Sequence, residues 1–449
     1  MPDPIAWRDV RDPSPRGIAA VMAAHIAGGH VHAGDRLPTV RDVAAELGVS
    51  PATVSSAWQA LRRAGLVESR GRAGSFVRSR PRTWLSPRVQ GLVGQLDELP
   101  LDLSRGTPDP ALLPPLGGAV GALAGSASTG IYQEDPVLPA LRGVLEENWP
   151  VPPEALTVVN GAQDAVGLTL EQLVRFGDKV AIESPGFPPF LDMLDLLGAE
   201  PVPLVLDAHG VTPGSLAAAV ERRVSVVVLQ PRSQNPTGVS MTEQRAEELA
   251  HVVAKADRPI AVIEDDHSWL ISTTPDASLA PWLPDQVVHV RGFSKSHGPD
   301  LRIAALGGPG AIVDKVVARR MLGPAWTSRM VQTILLGLLT GDEGIEAVEH
   351  AQRAYAARQR ALNQALAREG IAMAVPDGIN LWLPVADGSA ALLELAARGI
   401  RAAAGEPFVA PGHAAGPALG PHLRVTSGLV PVENASAVAE ALAAASRAR

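Results

Sequence analysis

Apolar residues recur at helical spacing near the N-terminus, then as short continuous runs from about residue 101 onward. Ile18, Met22 and Ile26 repeat every fourth position, and Gly28 and Gly29 follow as stop signals, which predicts a first helix. Leu37-Pro38-Thr39 opens a second, short one. Thr39 is its expected N-cap, Val43, Ala44 and Leu47 its buried face, and Gly48 its end. Ser50 caps a third helix, where Pro51 takes the first helical position without losing a hydrogen bond. Val54, Ala57, Trp58 and Leu61 form its inward face. Two short helices joined by a turn of this length make a helix-turn-helix. Leu66-Val67-Glu68 and Ser75-Phe76-Val77 then pair across Arg70-Gly71-Arg72-Ala73-Gly74 as a basic wing.

The later runs have another character. LTVVN (156–160), KVAIES (179–184), VSVVVLQ (224–230), IAVIEDD (260–266) and VVHVRGF (287–293) alternate with helix-like stretches. Such alternation predicts an α/β fold whose central sheet is mainly parallel and covered by helices on both faces. Sites in these folds form beyond the C-terminal ends of strands, and the strand-end residues here are polar: Asn160, Glu183, Gln230, Asp265 and Ser294. Between the two regimes, SRPRTWLSPRVQGLVGQLDELP (79–100) reads as a linker in which Trp84 or Leu85 docks locally. The expected organisation is a domain over 1–78, a linker over 79–100, and a body over 101–449 with a small C-terminal subdomain from about 335.

Composition narrows the function classes. The chain has 449 residues, 46% of them apolar and 19% charged, so it is globular and long enough for two or three domains. It contains no cysteine, which excludes disulfides, thiolate zinc sites and cysteine nucleophiles. The net charge of −8 divides into +5 over residues 1–82 and −13 over the remainder. Polyanion binding is therefore expected at the N-terminal end. The first residues, MPDPIAWRDVRDPSPRG, lack the apolar centre of a signal peptide. Apolar stretches break before the roughly 18–20 residues of a membrane span. A cytoplasmic protein without membrane contact is expected.

Candidate chemistry lies at both ends. In the head, the hydroxyls of Ser50 and Thr53 at a helix N-terminus suit phosphate oxygens, and Arg41 and Arg72 reach a phosphate or a groove edge. Base reading falls to the exposed side of 51–59, including Gln59. A helical hairpin used only for packing is the plainer alternative. In the body, Gly161-Ala162-Gln163 opens a helix whose N–H groups suit a phosphate, with Arg302 as a counter-charge. Phe187 offers an aromatic plate, Asn235 an amide for a ring oxygen, Asp265 a partner for a protonated pyridine nitrogen, and Lys295 an amine for an aldehyde. Singly, each has an ordinary structural explanation. Their order and strand-end placement argue for one site, and no metal-ligand set is expected.

The segment LPTVRDVAAELGVSPATVSSAWQALRRAGLVESRGRAGSFV resembles the winged helix of the GntR regulators over about forty residues. The resemblance implies DNA contacts for Arg41, Ser50 and Thr53 and a wing position for Gly71; Pro51 and Ser55 stand where relatives often carry Arg. Residues 101–445 resemble a fold-type I pyridoxal-phosphate aminotransferase domain. LDLSRGTPDPALLP, YQEDPVLPALR, VVNGAQDAV, IESPGFPPF, QNPTG, IEDDH, FSKSHGPDLR and LRVTSG occur in the family's order.

That second resemblance implies pyridoxal 5'-phosphate as cofactor and Lys295 as the residue of the internal aldimine. Asp265 then meets the pyridine nitrogen, Asn235 the ring oxygen and Phe187 the ring face, while Ala162, Gln163, Ser294 and Arg302 surround the phosphate. Arg424 would hold an effector's α-carboxylate, and Tyr132 matches a residue that reaches the phosphate of a neighbouring subunit, which implies a homodimer. His267 stands where the family has Tyr and is carried over as a cofactor-facing donor that titrates near neutrality. Gly292 replaces a phosphate-binding hydroxyl, with Arg291 beside it either as a substitute or pointing elsewhere.

Head, linker and body together resemble the MocR subfamily of regulators. This implies binding of double-stranded DNA and sensing of an amino acid, a related amine or the cofactor. The competing expectation is a working aminotransferase with an accessory head; a third is a scaffold that binds DNA and no cofactor.

Overall fold

The structure, a computed structural model, describes residues 7, 10, 12–27, 31–32, 34–63, 67–77, 85–89, 99–126, 134–412 and 420–448. The head comprises α1 (Pro15–Ala27), α2 (Val40–Leu47), α3 (Pro51–Arg63) and the antiparallel pair β1 (Val67–Ser69) and β2 (Ser75–Val77). The expected caps form: Thr39 accepts from the Asp42 N–H, and Ser50 from the Thr53 N–H at 3.1 Å. Ile18 and Met22 of α1, Val43 of α2 and Val54, Ala57, Trp58 and Leu61 of α3 share one buried core. Gly48 closes α2 at φ +65°, a left-handed conformation that suits glycine.

The body is built on an eight-stranded sheet in the order β4-β11-β10-β9-β8-β5-β6-β7. Its strands are β4 (Ala155–Val159), β5 (Lys179–Ser184), β6 (Glu200–Asp207), β7 (Gly210–Val211), β8 (Val226–Leu229), β9 (Ala261–Asp266), β10 (Val287–Gly292) and β11 (Ala304–Gly308). The run from β10 through β9, β8 and β5 to β6 is parallel, whereas β11 pairs antiparallel with both β10 and β4. Alternation along these strands feeds two cores, one on each face of the sheet. Val180, Ile182, Val226 and Val228 enter one, and Ala181, Val227, Leu229 and Val262 the other.

The small subdomain pairs β12 (Leu381–Pro384), β15 (His422–Val425) and β14 (Ala403–Ala404), while β13 (Ile400–Arg401) pairs with β3 (Leu101–Asp102). It begins later than residue 335. Leu335 packs with Val137, Leu141 and Leu145 of the large part, whereas Leu362, Ala365 and Leu366 pack with Leu381, Leu383 and Leu423. The transition runs along the helix Asp342–Arg368, whose two ends serve different cores. Leu103 also belongs to the small-subdomain core, so the first strand after the linker is stitched to the far end of the chain.

Candidate functional site

The C-terminal ends of β8, β9 and β10 bring the predicted residues together. Asp265, next to last in β9, is buried, and Gln230 donates from Nε2 to its Oδ2 at 2.8 Å. The same Gln230 accepts the Asn235 N–H on Oε1 at 2.9 Å, so one amide fixes both residues. Among the described residues Asp265 Oδ1 has no partner. Burial, reinforced by Asp266, pushes the Asp265 carboxyl up to about 7, against the opposing pull of the Gln230 hydrogen bond and then of His289 and Lys295. Glu183, at the end of β5, is pushed up to about 8 by burial and receives Gln234 Nε2 at 3.1 Å.

Lys295 follows β10 and donates to the carbonyl of Gly106. Burial, then the Arg424 guanidinium, lower its pKa to about 8, so an appreciable fraction of the amine is unprotonated near neutrality. Arg424, on β15, donates to the Ser104 carbonyl and lies 3.5 Å from Asn235 Oδ1, with its guanidinium 5.1 Å from the centre of the Phe408 ring. Burial brings its pKa down to about 10. Gly106 donates its N–H to Thr426 Oγ1 at 2.8 Å. A Cβ at Gly106 would sit 2.7 Å from Arg424 Nη1, and φ is +62°, so glycine is required where this loop passes between lysine and arginine.

The phosphate side is formed by the helix Ala162–Leu173. Its N-cap, Gly161, has φ +99°, and a Cβ there would come within 2.7 Å of Arg302 Nη2. Arg302 donates to the Asn160 carbonyl at 3.1 Å, which holds its charge at the helix N-terminus beside Ala162 and Gln163. Free N–H groups, the positive end of the helix and a guanidinium together suit an anion. Phe187 is the N-cap of the helix Pro188–Leu197 and meets Phe190 edge-on at 5.2 Å. Ser294 is half-buried beside Lys295. An amine, an unpartnered buried carboxylate oxygen and an anion cradle fit pyridoxal phosphate.

His267 departs from expectation. Its Nε2 lies 3.1 Å from the Ser233 carbonyl, which can only accept, so Nε2 carries the proton. Nδ1 then accepts from Ser268 Oγ at 3.2 Å. Both ring nitrogens are engaged by protein atoms. Burial, with Lys295 nearby, pushes its pKa down to about 4, which corrects the expected titration near neutrality.

Arg291 points elsewhere, because β-strand alternation sends it to the opposite face from Gly292. Its guanidinium lies 4.8 Å from the Trp149 ring and 4.6 Å from the Trp269 ring, with Nη2 3.2 Å from Asp276. A Cβ at Gly292 would lie 3.3 Å from the His267 Cα, so a hydroxyl-bearing side chain would crowd that backbone. Asp266, Asp276 and His289 come close enough to share a cation, but Arg232 and Arg291 already pair with the carboxylates.

In the head, Arg41 is exposed in the first turn of α2, and the Ser50 and Thr53 hydroxyls lie 2.8 Å apart at the start of α3. One hydroxyl hydrogen of that pair stays available to a phosphate. Gly71 opens the wing turn at φ +57° with nothing within 4 Å of a Cβ placed there. Tyr132 and the Arg72 side chain lie outside the described residues.

Residue-by-residue reading missed Ser104, Gly106, Phe408 and Thr426 as parts of the site. LSRG and VTSG carried the only signal, since each places a small polar residue beside a glycine or an arginine. Gln230 was visible as a strand-end polar residue, but its bridging role needed the fold.

Residues 16–77 match the bacterial regulatory proteins of the gntR family, and residues 137–442 match aminotransferase class I and II. The chain is 35% identical over 397 residues to the vitamin B6 salvage pathway transcriptional repressor PtsJ of Salmonella typhimurium, covering 87% of this chain and 90% of that protein. It is 30% identical over 432 residues to the HTH-type transcriptional regulator TauR of Rhodobacter capsulatus, covering 86% and 87%. Among solved structures, the alpha-aminoadipate aminotransferase LysN of Thermus thermophilus, complexed with N-(5'-phosphopyridoxyl)-L-leucine, superposes with a TM-score of 0.70. That match has 22% identity and covers 80% of this chain and 94% of LysN, a likeness of fold.

Proposed function

The chain belongs to the gntR family of bacterial regulatory proteins and carries an aminotransferase class I and II body, and we propose that it is a pyridoxal-phosphate-dependent transcriptional regulator of the MocR subfamily. It works in the cytoplasm as a homodimer, binds double-stranded DNA through its head, and senses an amino acid, a related amine or the cofactor itself. The observation that carries this reading is the set of Lys295 and Asp265 at the strand ends of the large sheet and Arg424 on β15 of the small subdomain, all buried or half-buried together, in a chain that also bears a helix-turn-helix. The vitamin B6 salvage repressor at 35% identity supports the cofactor as one effector.

When bound, pyridoxal phosphate supplies an aldehyde that captures amines and a ring that withdraws electrons. This chain's residues prepare the site for it. Asp265 would offer its unpartnered oxygen to a pyridine nitrogen, with the other oxygen locked by Gln230. Arg302 and the helix Ala162–Leu173 would hold the phosphate. Lys295 presents an amine whose lowered pKa favours the nucleophilic form. Arg424 offers its guanidinium to a carboxylate, in competition with the Ser104 carbonyl. Lys295 also holds the Gly106 carbonyl and Arg424 the Ser104 carbonyl, so engaging the lysine with the cofactor or the guanidinium with a carboxylate would each loosen the 104–106 loop. That loop follows β3, which is paired to the small subdomain, so ligand binding biases how the two parts of the body sit together.

The complete Lys295, Asp265, Asn235 and Arg424 set also favours a second reading, transamination by the same site. One experiment separates them. Cofactor-loaded protein is mixed with amino acids and 2-oxoglutarate while absorption, keto-acid formation and DNA binding are followed. A ligand that changes absorption and DNA binding without sustained keto-acid supports the sensor; sustained turnover refutes it. Lys295→Ala abolishes the spectral response in either case.

A further inference from the structure

The helix Pro188–Leu197 touches the cofactor site, the linker and the head. Its N-cap, Phe187, belongs to the cofactor site. On its middle turns, Asp192 Oδ1 and Asp195 Oδ2 take Arg88 Nη1 of the linker at 2.7 and 2.6 Å, and the Arg88 N–H donates to Asp192 Oδ2 at 3.3 Å. These side chains are only 22%, 10% and 24% exposed, so the ion pair is sheltered rather than solvated. At its C-cap, Gly198 donates to the Asp195 carbonyl at φ +65°, and a Cβ there would lie 2.3 Å from the Phe176 ring. The Gly177 N–H donates to the Gly198 carbonyl at 2.9 Å, and Phe176 packs against the hydrophobic core of the head.

Residues 408–410 reach the turn that leads into this helix. The Gly186 N–H donates to the Phe408 carbonyl at 2.8 Å, and the Ala410 N–H donates to Ser184 Oγ at 3.0 Å. Phe408 is the ring beneath the Arg424 guanidinium. A carboxylate on Arg424 therefore acts, through Phe408, on Gly186, the residue next to Phe187 at the start of this helix. A ten-residue helix spans about 15 Å and moves as a unit, so a tilt set at Phe187 is felt at Asp192, Asp195 and Gly198.

We propose that the helix Pro188–Leu197 couples the amine site to the DNA-binding head, with Arg88 on Asp192 and Asp195 as its grip on the linker and Phe176 on Gly198 as its contact with the head. The proposal rests on the regulator reading. It gives that reading a physical element which both sites bias, the requirement for coupling between distant sites. The linker acts as a strap fastened to the moving part of the sensor.

The test uses the full-length protein stripped of cofactor, with pyridoxal phosphate as the probe. Absorption reports attachment to Lys295, and hydrogen exchange of α1 and α3 amides reports the head. Wild type is expected to show both changes. Arg88→Glu is expected to keep the absorption change while its head response falls at least about fivefold, the low end of ordinary allosteric coupling. Adding Asp192→Lys and Asp195→Lys to Arg88→Glu restores it, and Phe176→Ala reduces it independently. A full head response in Arg88→Glu, a charge swap without rescue, or a wild-type head indifferent to bound cofactor overturns the proposal. No absorption change in wild type instead refutes the cofactor reading beneath it.

Discussion

His267 donates from Nε2 to the main-chain carbonyl of Ser233, 3.1 Å away, and this bond turns the ring toward the protein, while burial and the nearby Lys295 keep it neutral. With its pKa pushed down to about 4, the imidazole carries no charge at any ordinary working pH. The absorption of the cofactor-loaded protein should therefore keep its pH midpoint in His267→Gln. A midpoint displaced by more than about one unit between roughly pH 6 and 8 would return His267 to the cofactor's hydrogen-bond set.

Lys295 captures the cofactor only as the free amine. Its attachment rate should rise with pH and level off above about 8. Arg424 is a positive neighbour that lowers this pKa, so Arg424→Gln should move the midpoint upward. Stopped-flow absorption across a pH series measures both.

Arg424→Gln should also weaken effectors that carry a carboxylate by roughly 10- to 100-fold, the worth of one charge-assisted contact. Amines without a carboxylate should lose little. Spectral titration with an amino acid and its decarboxylated counterpart makes the comparison within one variant.

His297 is almost fully buried, and burial pushes its pKa down from 6.5 to about 4. The unfolded chain then binds a proton that the folded one refuses. Its contribution to stability is fully present above about pH 6.5 and is lost as pH falls toward 4, by at most about 3 kcal/mol. Urea unfolding at a series of pH values should show that slope, and His297→Leu should remove its share while leaving that of His267, whose pKa burial also lowers to about 4.

On DNA, Arg41→Ala should weaken binding alike across sequences and lower the slope of log affinity against log salt by about 0.9, one phosphate's worth. An unchanged slope would remove Arg41 from the interface.

Much of this protein was legible before folding, because local physics carries it. Thr39 and Ser50 cap their helices from sequence alone, since a hydroxyl one residue before a helix meets N–H groups that have no other partner. β-branched runs declared the sheet, and β5 has the ends expected of it, because strands buried on both faces must be continuously apolar. Lys295, Asp265, Asn235 and Arg302 stood at strand and helix ends, where an α/β fold exposes side chains to ligands.

Other relationships belonged to the tertiary structure. His267 is oriented by the carbonyl of Ser233, thirty-four residues away. Arg291 went to a buried place between two tryptophans because alternation along β10 leaves only one face for Gly292's neighbours at the site. Gly106 reached Lys295, and Arg88 reached Asp192 and Asp195, across 189 and more than a hundred residues. Caps and strand patterns depend on neighbours in the chain, so the sequence by itself determined them. The contacts that orient a side chain or tie a linker to a helix depend on which distant surfaces meet, and only the folded chain decided that.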